Sequence, residues 1–299
     1  MAVGFWSAPR FETISNINWL KWAIVTITMF LMAWPLTFGN LKRSVSNPLA
    51  PILASSFNMV LIPVLIWPLA ALAGTELAPG MIVAATAPST LASAAVLTRR
   101  AGGDDSVAIL VTIITNASCF LVMPFWIYLQ TGNEVEPGKL VGTIYKLLFF
   151  VVLPIGGAQL ARFHRRSAKW ATNHKPMLSR FALLGILSMV FLGAVKMGLR
   201  FDGQGGEELS VKYLMTAAVI LLSVHTFVFW SGILVANRMG VSRDQQIAIG
   251  FSGSQKTLMI GLSTAVDLGM NIIPIVLYHA LQLIVDSVFA ERIRSEKRP

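Results

Sequence analysis

The chain has 299 residues, 55% of them hydrophobic and only 13% charged. Soluble domains carry about a quarter charged residues and less apolar content, so the solvent here is lipid and no room remains for a sizeable soluble domain. The formal charge of +10 is read as membrane orientation rather than nucleic-acid binding, because Lys and Arg gather on the cytoplasmic side of membrane proteins.

A helix needs about 20 mostly apolar residues to cross a bilayer. Residues 1–18, with Arg10 and Glu12, precede an apolar stretch too long for a signal-peptide core and without a small-residue cleavage site, so the first span is expected to be retained. In chain order the apolar stretches are 19–38, 48–73, 78–98, 106–130, 140–161, 180–199, 211–236, 245–266 and 271–290. The expected fold is an all-α membrane protein of about nine transmembrane helices. Its domains are a non-cytoplasmic segment 1–18, a transmembrane transporter domain 19–290 and a basic cytoplasmic tail 291–299.

The charges fix an orientation. Sixteen of the 24 Lys and Arg fall on one side, among them Lys42, Arg43, Arg99, Arg100, Arg238 and Arg292, and seven on the other. The richer side is cytoplasmic by the positive-inside rule. That puts the N-terminus outside and the C-terminus inside a cell inner membrane, as an odd number of spans requires. The basic loop from Arg162 to Arg180 is read as an orientation determinant. The loop Phe201–Leu209 (FDGQGGEEL) is read as an exposed outer turn. The single cysteine, Cys119, lies in an apolar run and is read as packing, with no metal cluster and no cofactor expected.

The third and eighth spans differ from the rest. Small and hydroxyl residues interrupt both: 84–93 reads AATAPSTLAS and 249–257 reads IGFSGSQKT. Pro88 lacks an amide and disfavours helix at Ala87, while Gly250 and Gly253 are expected to weaken the eighth helix. Paired interruptions in two halves point to an inverted-repeat transporter, whose unwound segments hold substrate or ions near the bilayer midplane. Small residues also serve plain helix contacts, and that reading stays open.

Lys256 lies about eleven residues from either end of its span, where a charge costs about 2.5–3.5 kcal/mol on insertion scales. It needs a wet cavity or a partner, such as Asp267 or Asp286. Asp286 is expected near the cytoplasmic interface, and His225 is expected to be a helix-to-helix hydrogen bonder. Gly250-Phe251-Ser252-Gly253 matches the G-x-S-G of intramembrane serine proteases, with His279 as a base in the next span, and gives a rival hydrolase reading.

Several segments resemble the bile acid:sodium symporter family: FLMAWPLTFGNLKRS, NPLAPILASSFNMVLIPVL, APSTLASAAVLTRRAGGDDSVAILVTIITN and PIVLYHALQLIVDSVFA. FSGSQKTL and VLTRRAGG are most similar to the branch holding the seventh member of the vertebrate group. The resemblance implies a core domain with two crossed discontinuous helices, a panel domain beside it, sodium sites at the crossover and an organic-anion path between the domains. Carried over residue by residue, the family's sodium ligands fall on Ser93, Asn58 and Gln255. The family's acidic residue has become Phe251, an asparagine has become Ala94, and a second asparagine has become Lys256.

The expected function is therefore secondary transport of a small organic anion by alternating access, with coupling to sodium or protons left open. The Lys256 ammonium is expected to take the place of a sodium ion and to hold the broken helices through Ser89, Thr90 and freed carbonyls. The binding set comprises Asn58, Pro88, Ser89, Thr90, Ser93, Thr112, Thr115, Asn116, Ser252, Gly253, Ser254, Gln255, Lys256, His279 and Gln282. The partners are the anion and the lipid bilayer, with no nucleic acid. A non-transporting regulator of ion handling is the alternative.

Overall fold

The computed structural model describes residues 8–37, 48–131, 136–204 and 210–295, with backbone only for 200–204. The basic residues Lys42, Arg43, Lys297 and Arg298 and the acidic end of the expected outer turn lie outside the described residues. Every regular element within them is helical: α1 (Ala8–Ser15), α2 (Asn18–Ala33), α3 (Leu49–Ala73), α4 (Ala78–Thr86), α5 (Ser93–Arg100), α6 (Asp105–Thr131), α7 (Pro137–Ala161), α8 (Arg165–Asn173), α9 (Lys175–Gln204), α10 (Val211–Arg238), α11 (Arg243–Ser254), α12 (Leu258–Leu268) and α13 (Ile273–Ser295).

Six of these, α3, α6, α7, α9, α10 and α13, are long and apolar enough to cross a membrane, and α2 is a shorter apolar helix. The pairs α4/α5 and α11/α12 each make one crossing in two pieces, which gives nine among the described residues. Alternate connections then lie on opposite faces: α1 and the turns at 74–77 and 269–272 on an N-face, and α8, the turn at 101–104 and the chain's last helical turn on a C-face.

The helices sort into two bodies. In the panel, α2 packs on α7 and α9, α1 packs on α9, and α8 packs on the start of α9. The core holds two triplets of identical order, α3–α4/α5–α6 and α10–α11/α12–α13, each a span, a broken span and a span. Five crossings, three of the first triplet and then α7 and α9 of the panel, separate the start of one triplet from the start of the other, and an odd number reverses direction, so the triplets run in opposite directions. This is the inverted repeat.

Three stretches differ from the sequence reading. The first span ends at Ala33 rather than residue 38: Trp34 is still helical and donates to Phe30 O, but Pro35 has no N–H with which to continue the ladder. The freed end carbonyls are covered by the panel: Gln159 Nε2 donates to Ala33 O (2.5 Å) and an Arg162 guanidinium nitrogen to Trp34 O (2.8 Å). The basic loop is helical in α8, where Trp170 packs on Trp34 with centroids 5.0 Å apart. The expected turn at Phe201 begins later, since α9 runs to Gln204.

Candidate functional site

The site starts with a proline. In α3 the residues Phe57–Leu61 form a π-turn, so the Ile62 amide reaches back five residues to Phe57 O. The equivalent partner for Asn58 O would be residue 63, a proline without an N–H. The Asn58 carbonyl is thus left over inside the bundle, and buried carbonyls need a donor. Lys256 supplies it: its Nζ lies 2.5 Å from Asn58 O, 3.3 Å from Asn58 Oδ1 and 2.8 Å from Ala87 O.

Ala87 O is free for a parallel reason. The residue before Pro88 is held extended, with ψ 145°, so α4 stops at Thr86 and α5 does not start until Ser93. The second break spans Gln255–Thr257, both ends extended at ψ 143° and 133°. The two breaks cross: Thr257 N donates to Pro88 O at 2.8 Å.

Flanking spans satisfy the peptide groups that the breaks release, in a repeated pattern. On α6, Asn116 Nδ2 donates to Ser89 O (2.9 Å), Thr115 Oγ1 accepts from Ser89 N (3.2 Å) and Thr112 Oγ1 donates to Thr90 O (2.9 Å). On α13, the counterpart of α6 in the second triplet, Gln282 Nε2 donates to Lys256 O (2.8 Å) and Gln282 Oε1 accepts from Lys256 N (2.8 Å). His279 Nδ1 sits 3.3 Å from the same Lys256 carbonyl. On α3, Asn58 Nδ2 donates to Gln255 O at 2.8 Å. Asn116 Oδ1, by contrast, is buried without a hydrogen-bond partner.

Side chains at the crossing continue the network. Gln255 Oε1 accepts from the hydroxyls of Thr90 and Ser93, both at 2.8 Å, which orients its Nε2 toward Asp286 Oδ2 at 2.6 Å. Asp286 Oδ1 faces His225 Nε2 at 2.9 Å, and His225 Nδ1 faces Ser254 O at 3.2 Å, with Tyr278 Oη on the same carbonyl at 3.1 Å. The His225–Asp286 pair is fully buried, and the imidazole sits between a carbonyl of α11 and a carboxylate of α13.

Several expectations are corrected by this geometry. Gly250 and Gly253 do not break the eighth span, for α11 runs through both to Ser254. They serve close packing: a Cβ at Gly250 would lie 3.1 Å from Ile233, and one at Gly253 3.4 Å from Ala54 O. The ammonium of Lys256 bonds to Asn58 and Ala87, not to Ser89 or Thr90, and pairs with neither acid. Asp267 binds Lys21 and Lys146 instead. Asp286 is not at the interface but fully buried. Ser252 Oγ donates to its own helix at Ala248 O (2.6 Å), and Ser89 Oγ donates to Ser252 O (2.9 Å), while His279 contacts Gln282 and Lys256 O. No Ser252–His279 pair exists to activate a nucleophile. His225 bridges α11 and α13, the helix-to-helix role expected for it.

The binding set drawn from the sequence omits Tyr278, and it omits His225 and Asp286 although both are singled out there in other roles. Two of them carried a readable signal, because His225 and Asp286 are ionisable residues inside spans and such residues find one another in lipid. A third feature of the site is a cavity of about 310 Å³ on the C-face, between core residues Ala92, Ala95, Val96 and Ile109 and panel residues Met32, Leu36, Ala182 and Ile186. Arg99 and Lys175 stand at its rim.

Comparison with known proteins agrees with this architecture. The chain is similar to an uncharacterized protein of Pseudomonas aeruginosa, 27% identical over 73% of this chain and 66% of that protein. It is also similar to a protein of Arabidopsis thaliana named as a probable sodium/metabolite cotransporter, 23% identical over 85% of this chain and 58% of the other. The mouse sodium/bile acid cotransporter 7 is 22% identical over 80% of this chain and 72% of its own length. The chain thus spans under two thirds of the first two relatives. The model of the SBF-like CPA transporter family matches residues 6–295, nearly the whole chain and all nine crossings, so the protein belongs to that family of multi-pass membrane transporters.

Proposed function

We propose that the protein carries a small organic anion across the membrane by alternating access, with the Lys256 ammonium standing where a transported cation would otherwise sit. The observation that carries this is the coordination of Lys256. It is 2% exposed, its Nζ is surrounded by three neutral oxygens, two from Asn58 of α3 and one from Ala87 at the first break, and among the described residues no carboxylate lies within ion-pairing distance of it.

A sodium ion wants several oxygens, carboxylates among them, as hard cations do. The residues present fit such an ion poorly. Gln255 Oε1 is taken by two hydroxyls, Asn58 Oδ1 by Lys256, and Ser93 Oγ by Gln255 and Thr90. At position 251 a phenylalanine stacks edge-on to Phe229 with centroids 4.8 Å apart. The tethered ammonium supplies one positive charge at the crossing, keeps both breaks assembled and leaves the amphipathic C-face cavity, rimmed by Arg99 and Lys175, as the anion's path. The charge asymmetry of the loops supports a cytoplasmic C-face, and the organic-anion class is taken from the relatives named as bile acid and metabolite cotransporters.

The test is uptake of labelled taurocholate, and of a panel of small carboxylates, into proteoliposomes down a substrate gradient. The expected result is uptake that is unchanged when potassium replaces sodium and falls at least about tenfold in Lys256→Met. An absolute sodium requirement, or an unchanged Lys256→Met, overturns the lysine's role. A flat response to every anion overturns the carrier reading and favours a regulator.

A further inference from the structure

Far from the crossing, on the N-face, two contacts of opposite charge between panel and core converge on one carboxylate. Lys21 of α2 and Lys146 of α7, both on the panel, place their Nζ atoms 2.8 Å from Oδ1 and 2.7 Å from Oδ2 of Asp267, which ends α12 of the core. Within the cluster the Lys21 and Asp267 side chains are 5% and 10% exposed, while that of Lys146, at 38%, reaches the N-face opening.

Two observations give the lysines a role beyond holding Asp267. First, the panel itself holds them: both ammonium groups lie over the Trp22 ring, 4.9 and 5.9 Å from its centroid, and Trp22 is stacked on Phe150 at 5.0 Å. Such cation–π contacts do not depend on the core. Second, Asp267 is the shared wall of two N-face cavities, of about 820 and 560 Å³, sizes that accept small organic ligands. Lys139 lines both, Lys196 and Glu12 line the smaller, and Glu136 lines the larger, with Glu76 also in the smaller. Two ammonium groups against one carboxylate leave the cluster itself with an excess positive charge.

We propose that Lys21 and Lys146 are an anion-capture site at the N-face mouth, closed in this conformation by Asp267, whose carboxylate fills the place of the carboxylate or sulfonate of an incoming organic anion. The inference rests on the transporter reading. It adds the recognition step on the face opposite the C-face cavity. When α12 moves away from the panel, Asp267 leaves with it, and the two lysines stay on their aromatic shelf as a paired donor for an anionic head group. An anion bound there screens the lysines and delays their return to Asp267, so capture and opening are coupled.

The test needs no transport. In the full chain carrying Cys119→Ala and Leu268→Cys, at a residue lining both cavities, the rate of modification by a membrane-impermeant maleimide reports N-face opening in proteoliposomes. Asp267→Asn is expected to raise that rate about fivefold or more, and Asp267→Glu to leave it near the wild-type value, which also shows that the position tolerates substitution. In Asp267→Asn, taurocholate and benzoate are expected to slow modification, and this protection is expected to vanish when Lys21→Met and Lys146→Met are added. An unchanged rate in Asp267→Asn overturns the closure. Protection by neither probe, or protection that survives loss of both lysines, overturns the capture site. Flat anion flux with these labelling changes intact would instead count against the transporter reading alone.

Discussion

At the scale of single residues, the site is built from groups that local chemistry leaves without partners. Pro63 removes the donor that Asn58 O would have used within the π-turn, Pro88 holds Ala87 extended, and one ammonium then answers both carbonyls. Hydrogen bonds from a charged donor are worth about 1.5–3 kcal/mol each, which offsets the insertion cost of about 2.5–3.5 kcal/mol for a central lysine. Lys256→Ala should therefore lower the thermal unfolding midpoint in detergent, and sodium should restore part of the loss in that variant while leaving the wild type unaffected. Asp286 gives a second prediction. Asp286→Asn keeps every bond, since the amide oxygen accepts from Gln255 and the amide nitrogen donates to a neutral His225 Nε2, so its midpoint should stay close to that of the wild type. Asp286→Leu strands Gln255 Nε2 and the imidazole in a dry interior and should cost about 3 kcal/mol, readable as a large drop in the same melting experiment.

At the scale of elements, close backbone approach is what holds the broken helices against their neighbours. A Cβ at Gly80 of α4 would lie 2.1 Å from the Asn271 carbonyl, a backbone atom that cannot rotate away. Gly156 of α7 faces open space. Gly80→Ala should therefore cost about 2 kcal/mol or more through displaced backbone, whereas Gly156→Ala should leave stability unchanged or raised, given alanine's better helix propensity; detergent melts of the two variants check this. The spans themselves were legible in the sequence because long apolar runs have few alternatives in lipid. The break at 87–92 was legible too, through Pro88. The second break falls inside the stretch 249–257 but at its end, Gln255–Thr257, and not at Gly250 and Gly253, because glycine signals both low helix propensity and tight packing, and only the neighbours Ile233 and Ala54 reveal which applies. Nothing local forces Gln255–Thr257 to be extended. Asn58, Gln282 and the crossing partner Pro88 do so from more than a hundred residues away in two cases and from separate spans in all, and such long-range pairing has no short-range mark. For the same reason the partners of Asp267 and Asp286 could not be assigned from spacing alone.

At the scale of the whole molecule, panel and core are joined by Lys21, Lys146 and Asp267 between two cavities on the N-face, and they flank a smaller cavity on the C-face. A tethered cation has a consequence for energetics. On the proposed role, Lys256 makes the crossing in both directions of every cycle, so unlike a dissolved ion it would deliver no net charge and couple the anion to no sodium gradient, and substrate would move down its own electrochemical gradient. The direct measurement uses proteoliposomes loaded with labelled taurocholate at the same concentration inside and out, with the membrane potential clamped and a sodium gradient imposed. The account predicts exchange of label without net accumulation in the wild type, whichever way the sodium gradient points. Net accumulation that follows the sodium gradient would contradict it.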